Sequence, residues 1–401
     1  MPVIRLATRE ATLRRKVRAH LRSLGFGRDN DGALVPPSLD KAGYRELHVP
    51  QRRERLMGEK RFLLDTSDSL IEYFADGVEL DLSKIRVRVE LIRHTSWQSD
   101  LFRFATLLWS IPVSKGFGRR LRFLVWDEHS GKLLGIFALG DPVFNLAARD
   151  NLIGWSSADR TSRLVNILDG YVVGAVPPFN RVLGGKFIAT LMRTQEVVAA
   201  FRDRYHTTEG IISETAKKAQ LVAITTTSAL GRSSVYNRLK LDNTPYLESI
   251  GFTAGYGHFH FPQDIFKEMR AYLSARRDPY ADNHKYGDGP NWRLRTIRQS
   301  LRLLGLDPGL VRHGLAREVF LSKLADNAFD VLNGERKRAI YSTLLSANDV
   351  AERALSRWIM PRAARDATYR EVTRESILES IKAGPSLSTA ATRMRKHGNR
   401  N

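Results

Sequence analysis

The pattern of apolar and polar positions changes three times along the chain and predicts four segments. In the first segment, apolar side chains recur at helical spacing, as at Leu13, Val17, Leu21 and Leu24, and the pattern stops at a pair of glycines. Apolar residues that return every three to four positions are typical of an amphipathic helix, and a following glycine commonly ends one. We therefore predict a helical N-terminal region over residues 1–84.

Residues 85–261 mix strand patterns with helix patterns. "KIRVRVELI" has the period of two that is typical of strands, "SDLFRFATLLWSIP" has helical spacing, and "RRLRFLVWDEHSGKLLGIFALGD" predicts a hairpin because two apolar runs flank a polar turn. A helical segment, a strand at Tyr171–Val176, a glycine loop and a helix to about Tyr205 follow. After a further strand and helix, "YLESIGFTAGYGHFHFP" predicts a helix end and a final alternating strand. This order predicts a mixed central sheet with helices on both faces.

The last two segments are basic. Residues 262–384 have helical patterns, and in "WRLRTIRQSLRLLGL" the apolar residues lie near one face with arginines on the flanks. Residues 385–401 are polar and free of acids, which indicates a flexible basic tail. The predicted fold class is α/β, of the α+β kind, with a core over 85–261 between helical N-terminal and C-terminal regions.

The net charge of the chain is informative about its binding partners and says little about its fold. The chain has 401 residues, a net charge of +21 and a pI near 10.3. A nucleic acid, DNA before RNA, is the partner that such a charge favours, and a merely solvated basic surface is the alternative. No apolar run approaches the roughly 20 residues that cross a bilayer, and the basic segments carry no single broad apolar face, so we expect no membrane partner.

Cysteine content and the first residues bear on the compartment. The chain contains no cysteine, which excludes disulfides, thiolate metal sites and cysteine nucleophiles and fits a reducing environment. Its first residues are charged throughout and lack the apolar core of a signal peptide. We expect a cytoplasmic protein.

A glycine loop stands where the central strand meets the next helix. The loop consists of Arg181, Val182, Leu183, Gly184, Gly185 and Lys186. Free N–H groups and partial positive charge at a helix start accept phosphate, glycines let an anion approach the backbone, and two cationic side chains add charge. An ordinary strand-to-helix turn is the alternative. The spacing matches neither the Walker A loop nor the G-x-G-x-x-G dinucleotide motif.

The element order and this loop resemble the GNAT acyltransferase fold. In that family a central strand leads into an [RQ]-x-x-G-x-[GA] loop that binds the pyrophosphate of acyl-CoA. Arg181 and Gly184 match the first and fourth positions, whereas Lys186 stands where a second small residue belongs. The family also has a tyrosine ahead of its last strands, and Tyr236 and Tyr246 both match it. The resemblance implies an acyl-CoA cofactor held by residues 181–186 and a tyrosine that protonates the leaving thiolate.

Three blocks of the sequence resemble a second family, that of the A protein of the Druantia anti-phage defence system. They are "GRRLRFLVWDEHSGKLLGIFALGDPVFNLAARDNLIGWSSADRTSRL", "ITTTSALGRSSVYNRLKL" and "LGLDPGLVRHGLAREVFLSKLADNAFDVLNGE", between about residues 117 and 335. The resemblance implies a prokaryotic or phage-associated protein that acts in defence or on nucleic acid, with other defence-system proteins as candidate partners. It implies no catalytic residue.

Further candidate residues lie outside the glycine loop. Glu214, at the end of a predicted strand, is a candidate general base or an ordinary surface acid. Arg149 and Asp150 either line a ligand pocket or form a buried ion pair. In "TTTSALGRSSVYNRLK", hydroxyl and cationic groups suit phosphate or sugar contacts, although the serines could instead cap a helix that carries Tyr236. The binding candidates there are Ser228, Arg232, Ser233, Ser234, Asn237 and Arg238.

Two histidines and three arginines complete the candidates. His258 and His260 lie on one face of a predicted strand and could share a metal ion, but no third ligand is evident, so we predict no metal site and expect partly buried strand histidines. Arg293, Arg295 and Arg298 are candidates for nucleic-acid contacts.

The sequence leaves two functional hypotheses. In one, the protein is a GNAT-like transferase that modifies nucleic acid from an acyl-CoA donor, with Glu214 as base and Tyr236 as acid. In the other, it is a non-catalytic DNA-binding component of an anti-phage or mobile-element system on a degenerate GNAT-like scaffold.

Overall fold

A computed structural model of the chain describes residues 2–32, 34–35, 37, 40–93, 96–113, 118–209, 216–254, 258–282, 290–312 and 314–382. Two compact units make up the chain. The first contains Met1–Glu54 and Ala254–Ala316, and the second contains Arg55–Thr253 and Arg317–Asn401. Glu214 and the predicted flexible tail over 385–401 lie outside the described residues.

The α-helices are spread over both units. They are α1 (Pro2–Ser23), α2 (Lys41–Leu47), α3 (Val49–Gly58), α4 (Lys60–Leu70), α5 (Trp97–Thr106), α6 (Ala147–Ile153), α7 (Ser157–Arg163), α8 (Gly184–Leu191), α9 (Gln195–Tyr205), α10 (Gln263–Ala275), α11 (Pro290–Leu303), α12 (Ala328–Asn333), α13 (Ala347–Ala354), α14 (Met360–Arg365) and α15 (Arg374–Lys382). A π-helical turn over Leu355–Ile359 joins α13 to α14.

Most strands belong to one large sheet of the second unit. They are β1 (Gly27–Arg28), β2 (Leu34–Val35), β3 (Val87–Leu91), β4 (Arg120–Asp127), β5 (Lys132–Gly140), β6 (Ile167–Ala175), β7 (Thr207–Glu209), β8 (Ala216–Lys218), β9 (Ala223–Thr227), β10 (Leu239–Leu241), β11 (Thr244–Phe252) and β12 (Glu318–Lys323). The large sheet has the order β10-β11-β12-β9-β6-β5-β4-β3, and β6 and β9 are its one parallel pair. β1–β2 and β7–β8 form two small antiparallel ribbons.

The β4–β5 hairpin shows why this part of the sequence folds locally. Buried Asp127 accepts hydrogen bonds from the backbone N–H of Arg86, His129 and Ser130, and Gly131 closes the turn with a positive φ of 69°. A short side chain that binds its own turn, followed by a glycine, is a strong local signal for a hairpin.

Helices cover both faces of the large sheet. Neighbouring residues of β6 enter different apolar clusters, because side chains alternate between the two faces of a strand. Leu168 packs with residues of α8, α9 and α13, whereas Ile167 packs with Ile153 of α6 and with apolar residues of α12. Burial on two faces supplies the main hydrophobic stabilisation of the second unit.

The first unit has its own core. The apolar stripe of α1, which includes Leu13 and Val17, is buried with Met269 of α10 and Leu301 of α11. The helical spacing in the first residues therefore predicts both the helix and the face that it buries.

The predicted fold class is confirmed, since the chain has a mixed sheet with helices on both faces. Three local predictions were wrong. The helix end near residue 250 is the nine-residue strand β11, and β12 lies in the sheet although its region was predicted to be helical. Over its described residues from His258 onward, the final alternating strand is only a single β-bridge between His258 and Arg312.

Within the described ranges, no helix is both long and apolar enough to cross a membrane.

Candidate active site

The central parallel strands separate partway along their length. β6 pairs with β9 from Ile167 to Gly170, but β6 continues to Ala175 alongside β5 while β9 ends at Thr227. A β-bulge at Tyr171, opposite the Ala138–Leu139 step of β5, interrupts the ladder at the same place. Bulges commonly redirect a backbone beside an active site. Beyond Gly170 and Thr226 the two strands are no longer paired with each other, and we call this end of their pairing the opening between β6 and β9.

Asp169 lies one residue before the strands part. Its carboxylate accepts a hydrogen bond of 2.8 Å from the hydroxyl of Thr225, its neighbour on β9. Asp169 is half-buried, and protein atoms surround its carboxyl group closely. Burial raises its pKa to about 6, against the opposing effects of Thr225, Arg149 and Arg317.

Arg149 and Asp150 of α6 form the buried ion pair that was one of their two predicted roles. Arg149 has no exposed surface, and its guanidinium donates to Asp150 Oδ1 at 2.6 and 2.8 Å and to the carbonyls of Val143 and Phe144. Burial lowers the pKa of Arg149, and Asp150 opposes the shift. With its donors satisfied within the protein, Arg149 acts on the site by placing a fixed positive charge near Asp169.

Tyr236 approaches the opening from a turn between β9 and β10. Ser233 Oγ accepts hydrogen bonds from the backbone N–H groups of Val235 and Tyr236, so it caps a turn and not the helix that we predicted. The Tyr236 ring packs edge-on against Phe320 at 5.4 Å. Burial raises the pKa of its phenol to about 12, a hydrogen bond with Thr226 opposes that shift, and the charge of Asp169 adds to it.

The other candidates on this turn differ in exposure. Ser228 is buried, whereas Ser234, Asn237, Arg232 and Arg238 are exposed. Arg238 has a positive φ of 56°, which ends the turn. Buried Glu318 fastens the segment to the sheet, because its carboxylate accepts hydrogen bonds from the Ser233 N–H and from the hydroxyl of Ser249.

The glycine loop stands at the start of α8, as predicted. A 3-10 turn over Phe179–Val182 leads to Leu183, whose left-handed φ of 65° precedes the helix. A Cβ on Gly184 would lie 2.4 Å from the carbonyl oxygen of Phe179 and 2.8 Å from the Cβ of Ala175, so packing alone requires glycine there. A Cβ on Gly185 would meet only Val235, at an ordinary 3.6 Å.

Cationic groups surround the start of α8. Arg181 is exposed and lines a cavity of about 530 Å³ together with Arg362, Asp366, Thr368, Glu371, Val372 and Ser376. Lys186 is partly buried, and burial followed by the nearby charge of Arg357 lowers its pKa. Arg181, Lys186 and Arg357 therefore bring positive charge near this helix start, while Asp366 and Glu371 bring negative charge to the same cavity as Arg181.

The remaining candidates lie in the first unit. His260 contacts Glu54 at 2.7 Å through Nε2, and its carbonyl contacts His20. Across the described residues no group of side chains is arranged to hold a metal ion. Of the three candidate arginines of α11, Arg293 donates to the Phe261 carbonyl and to Gln263, Arg295 is exposed, and Arg298 is half-buried.

Sequence reasoning missed Asp169, Arg317 and Glu318. For Asp169 the sequence did contain a weak indication. Asp169 is the one charged residue in "ILDGYVVGA", an otherwise apolar run that forms a buried strand. A lone carboxylate inside such a strand needs a partner or a function, because burying a charge is costly.

Comparisons with known proteins agree on one family. Residues 38–334 match the family model described as "DruA: Druantia protein DruA". The chain is also 51% identical, over 368 residues, to the "Druantia protein DruA" of Escherichia coli (strain UMEA 4076-1), an alignment that covers 92% of this chain and 91% of that protein. No solved structure matches the chain.

Proposed function

The chain belongs to the Druantia protein DruA family, and on that premise we propose that it is a transferase of Druantia anti-phage defence with a GNAT-like core, an acyl-CoA donor and a nucleic-acid acceptor. The observation that carries the proposal is the opening between β6 and β9, because it holds Asp169 and Tyr236 at one place. The strand that bounds the opening leads directly into the glycine loop.

The residues at the start of α8 fit a pyrophosphate group. Arg181 is exposed to a cavity, Lys186 is nearby, and Gly185 has room in front of its Cα. Arg181, Lys186 and the backbone of Gly185 would hold the donor by charge and by N–H groups. When bound, a coenzyme A thioester supplies an activated acyl group.

Asp169 has a pKa suited to a base, and Tyr236 stays protonated across the neutral range. With a pKa of about 6, Asp169 is mostly ionised at neutral pH but accepts a proton more readily than an exposed aspartate does. It would take the proton that an acceptor amine or hydroxyl loses. Tyr236, with a pKa of about 12, keeps its proton at neutral pH. It would give that proton to the thiolate that leaves when the C–S bond of the thioester breaks, and it would regain a proton from solvent. Glu214, the base predicted from the sequence, stays a prediction.

Nucleic acid is the acceptor class that the charge favours. A net charge of +21 attracts a polyanion, and exposed arginines such as Arg232 and Arg238 stand on the turn that carries Tyr236. These side chains would hold phosphates beside the reacting group.

A non-catalytic DNA-binding scaffold is the second candidate. It is favoured by the packing at Gly184, which explains that glycine without any ligand, and by Lys186, which stands where the GNAT motif has a small residue.

Calorimetric titration with acetyl-CoA distinguishes the two. We expect saturable one-site binding by the wild type and by Gly185→Ala, the matched control, because a methyl group there makes only an ordinary contact. Gly185→Asp places a carboxylate at the helix start and should abolish binding. Equal binding by all three proteins, or none, favours the scaffold.

A further inference from the structure

One face of α1 carries a row of arginines that the proposed site does not use. Arg14, Arg18 and Arg22 are four residues apart, and side chains at that spacing lie along one side of a helix. Arg28 of β1 continues the group, because its charge, with those of Arg14 and Arg22, acts on Arg18. We call these four residues the α1 arginine row.

The α1 arginine row brings four like charges close together. Among the described residues, none of Arg14, Arg18 and Arg22 has a carboxylate within ion-pair distance, although their neighbour Lys16 pairs with Glu268. The pKa of Arg18 is lowered, first by burial and then by Arg14, Arg28 and Arg22. A cluster of like charges destabilises the folded chain by repulsion. An anion that binds to the cluster relieves this repulsion, so the row favours a polyanionic ligand.

Arg14 and Arg18 of the row are held against the protein, whereas Arg22 and Arg28 are exposed. The Nε atoms of Arg14 and Arg18 are buried and have no hydrogen-bond partner among the described residues, and both side chains are only partly exposed. Each side chain therefore lies along the surface of the unit. Arginines that are already restrained lose less conformational entropy when their outer nitrogens bind an anion.

The length of the row matches a nucleic-acid backbone. Eight residues of helix from Arg14 to Arg22 span about 12 Å, a length over which one DNA strand presents roughly three to four phosphates. A membrane surface does not fit, because the apolar face of α1, with Val17 and Leu21, is buried in the core of the unit and cannot enter lipid.

We propose that the α1 arginine row is the main phosphate-backbone contact for duplex DNA in this protein. The proposal rests on the nucleic-acid partner of the proposed function but is independent of acyl transfer. It makes the N-terminal helix, and not the arginines of α11, the principal DNA-binding element. Backbone contacts of this kind set affinity and position but not sequence preference.

The test compares two charge-matched triple variants of the full-length protein. The first carries Arg14→Gln, Arg18→Gln and Arg22→Gln. The control carries Arg336→Gln, Lys337→Gln and Arg338→Gln, three exposed residues of the second unit. Binding of a fluorescein-labelled duplex DNA of mixed sequence is measured by anisotropy across a salt series, and melting temperatures report folding.

We expect the α1 variant to bind at least about tenfold more weakly at moderate salt, with a slope of log K against log salt smaller by about 3, and the control to change both far less. Its melting temperature should equal or exceed that of the wild type, since like charges have been removed. If the two variants lose the same affinity, the row is not the main contact. If the wild type itself shows no salt-dependent binding, nucleic acid is not a partner of this protein. The DNA-binding role of the α1 arginine row is then wrong as well.

Discussion

At Asp169, burial and neighbouring charge act on one carboxyl group in opposite directions. Two arginines and a threonine favour the ionised form, yet burial outweighs them and raises the pKa from 3.8 to about 6. The folded protein thus binds this proton more tightly than the unfolded chain does. The resulting stabilisation is fully present below about pH 4 and is lost as the pH rises through about 6.

The pH dependence of stability tests that assignment. The wild type must ionise a buried carboxyl group as the pH rises, whereas Asp169→Asn has no such group. We therefore expect the free energy of unfolding of Asp169→Asn, relative to that of the wild type, to increase by about 2 to 3 kcal/mol between about pH 4 and pH 8. Urea denaturation across this range measures it, with Asp203→Asn on the exposed side of α9 as the matched control. A difference that stays constant with pH contradicts the raised pKa.

If Asp169 and Tyr236 act as the proposed base and acid, their pKa values predict the pH profile of the proposed transfer. With acetyl-CoA and nucleic acid, the rate of thiol release should rise through about pH 6 as Asp169 ionises and show no fall from Tyr236 below about pH 10.

Substitution separates the roles of the two residues. Tyr236→Phe keeps the ring against Phe320, so it should retain the melting temperature while the rate falls by about 100-fold or more. Asp169→Asn should remove the limb near pH 6. Unchanged rates in both variants exclude these residues from the chemistry.

At the scale of elements, the start of α8 has two adjacent glycines whose surroundings differ. Gly184 is fixed by the close approach of Phe179 and Ala175, whereas Gly185 has space in front of it. In the sequence the two positions are simply a glycine pair. The loop could therefore be predicted, but which of the two glycines is required by packing could not.

Paired alanine substitutions check this difference. Gly184→Ala should destabilise the protein by about 1 to 3 kcal/mol because the methyl group overlaps backbone atoms. Gly185→Ala should be neutral or stabilising by up to about 1 kcal/mol, since alanine favours helix and the contact with Val235 is ordinary. Thermal unfolding measures both. Equal losses at the two positions contradict the packing described.

Strand prediction succeeded where the pattern was regular and failed where the sheet distorts it. β3 alternates, and the β4–β5 hairpin carries its own turn signal, so both were predicted. In β11 a register shift between Ser249 and Gly251 breaks the period of two. β12 is buried along nearly its whole length, and an apolar run without alternation cannot be distinguished from a short helix.

For the whole molecule, the family was predicted from sequence and is confirmed, because the resemblance rested on long blocks and not on single motifs. Of the candidate site, only part could be predicted from the sequence. Tyr236 and the glycine loop lie in recognisable strings, whereas Asp169 and Arg317 come together only when distant segments fold into one sheet. The core of the first unit likewise joins α1 to helices more than 200 residues later, a pairing that no local pattern encodes.

The hydrogen bonds between Thr253 and Arg317 have a consequence for how this chain can vary. The N–H of Thr253 donates to the Arg317 carbonyl at 2.8 Å, and the N–H of Arg317 donates to the Thr253 hydroxyl at 3.0 Å. β11 and β12 are therefore a β-hairpin whose turn has been expanded into residues 254–316. Both ends of the inserted segment therefore lie next to each other at the end of this strand pair. The inserted segment can change in length without creating a new sheet edge, as long as the helices that share a core with α1 are kept.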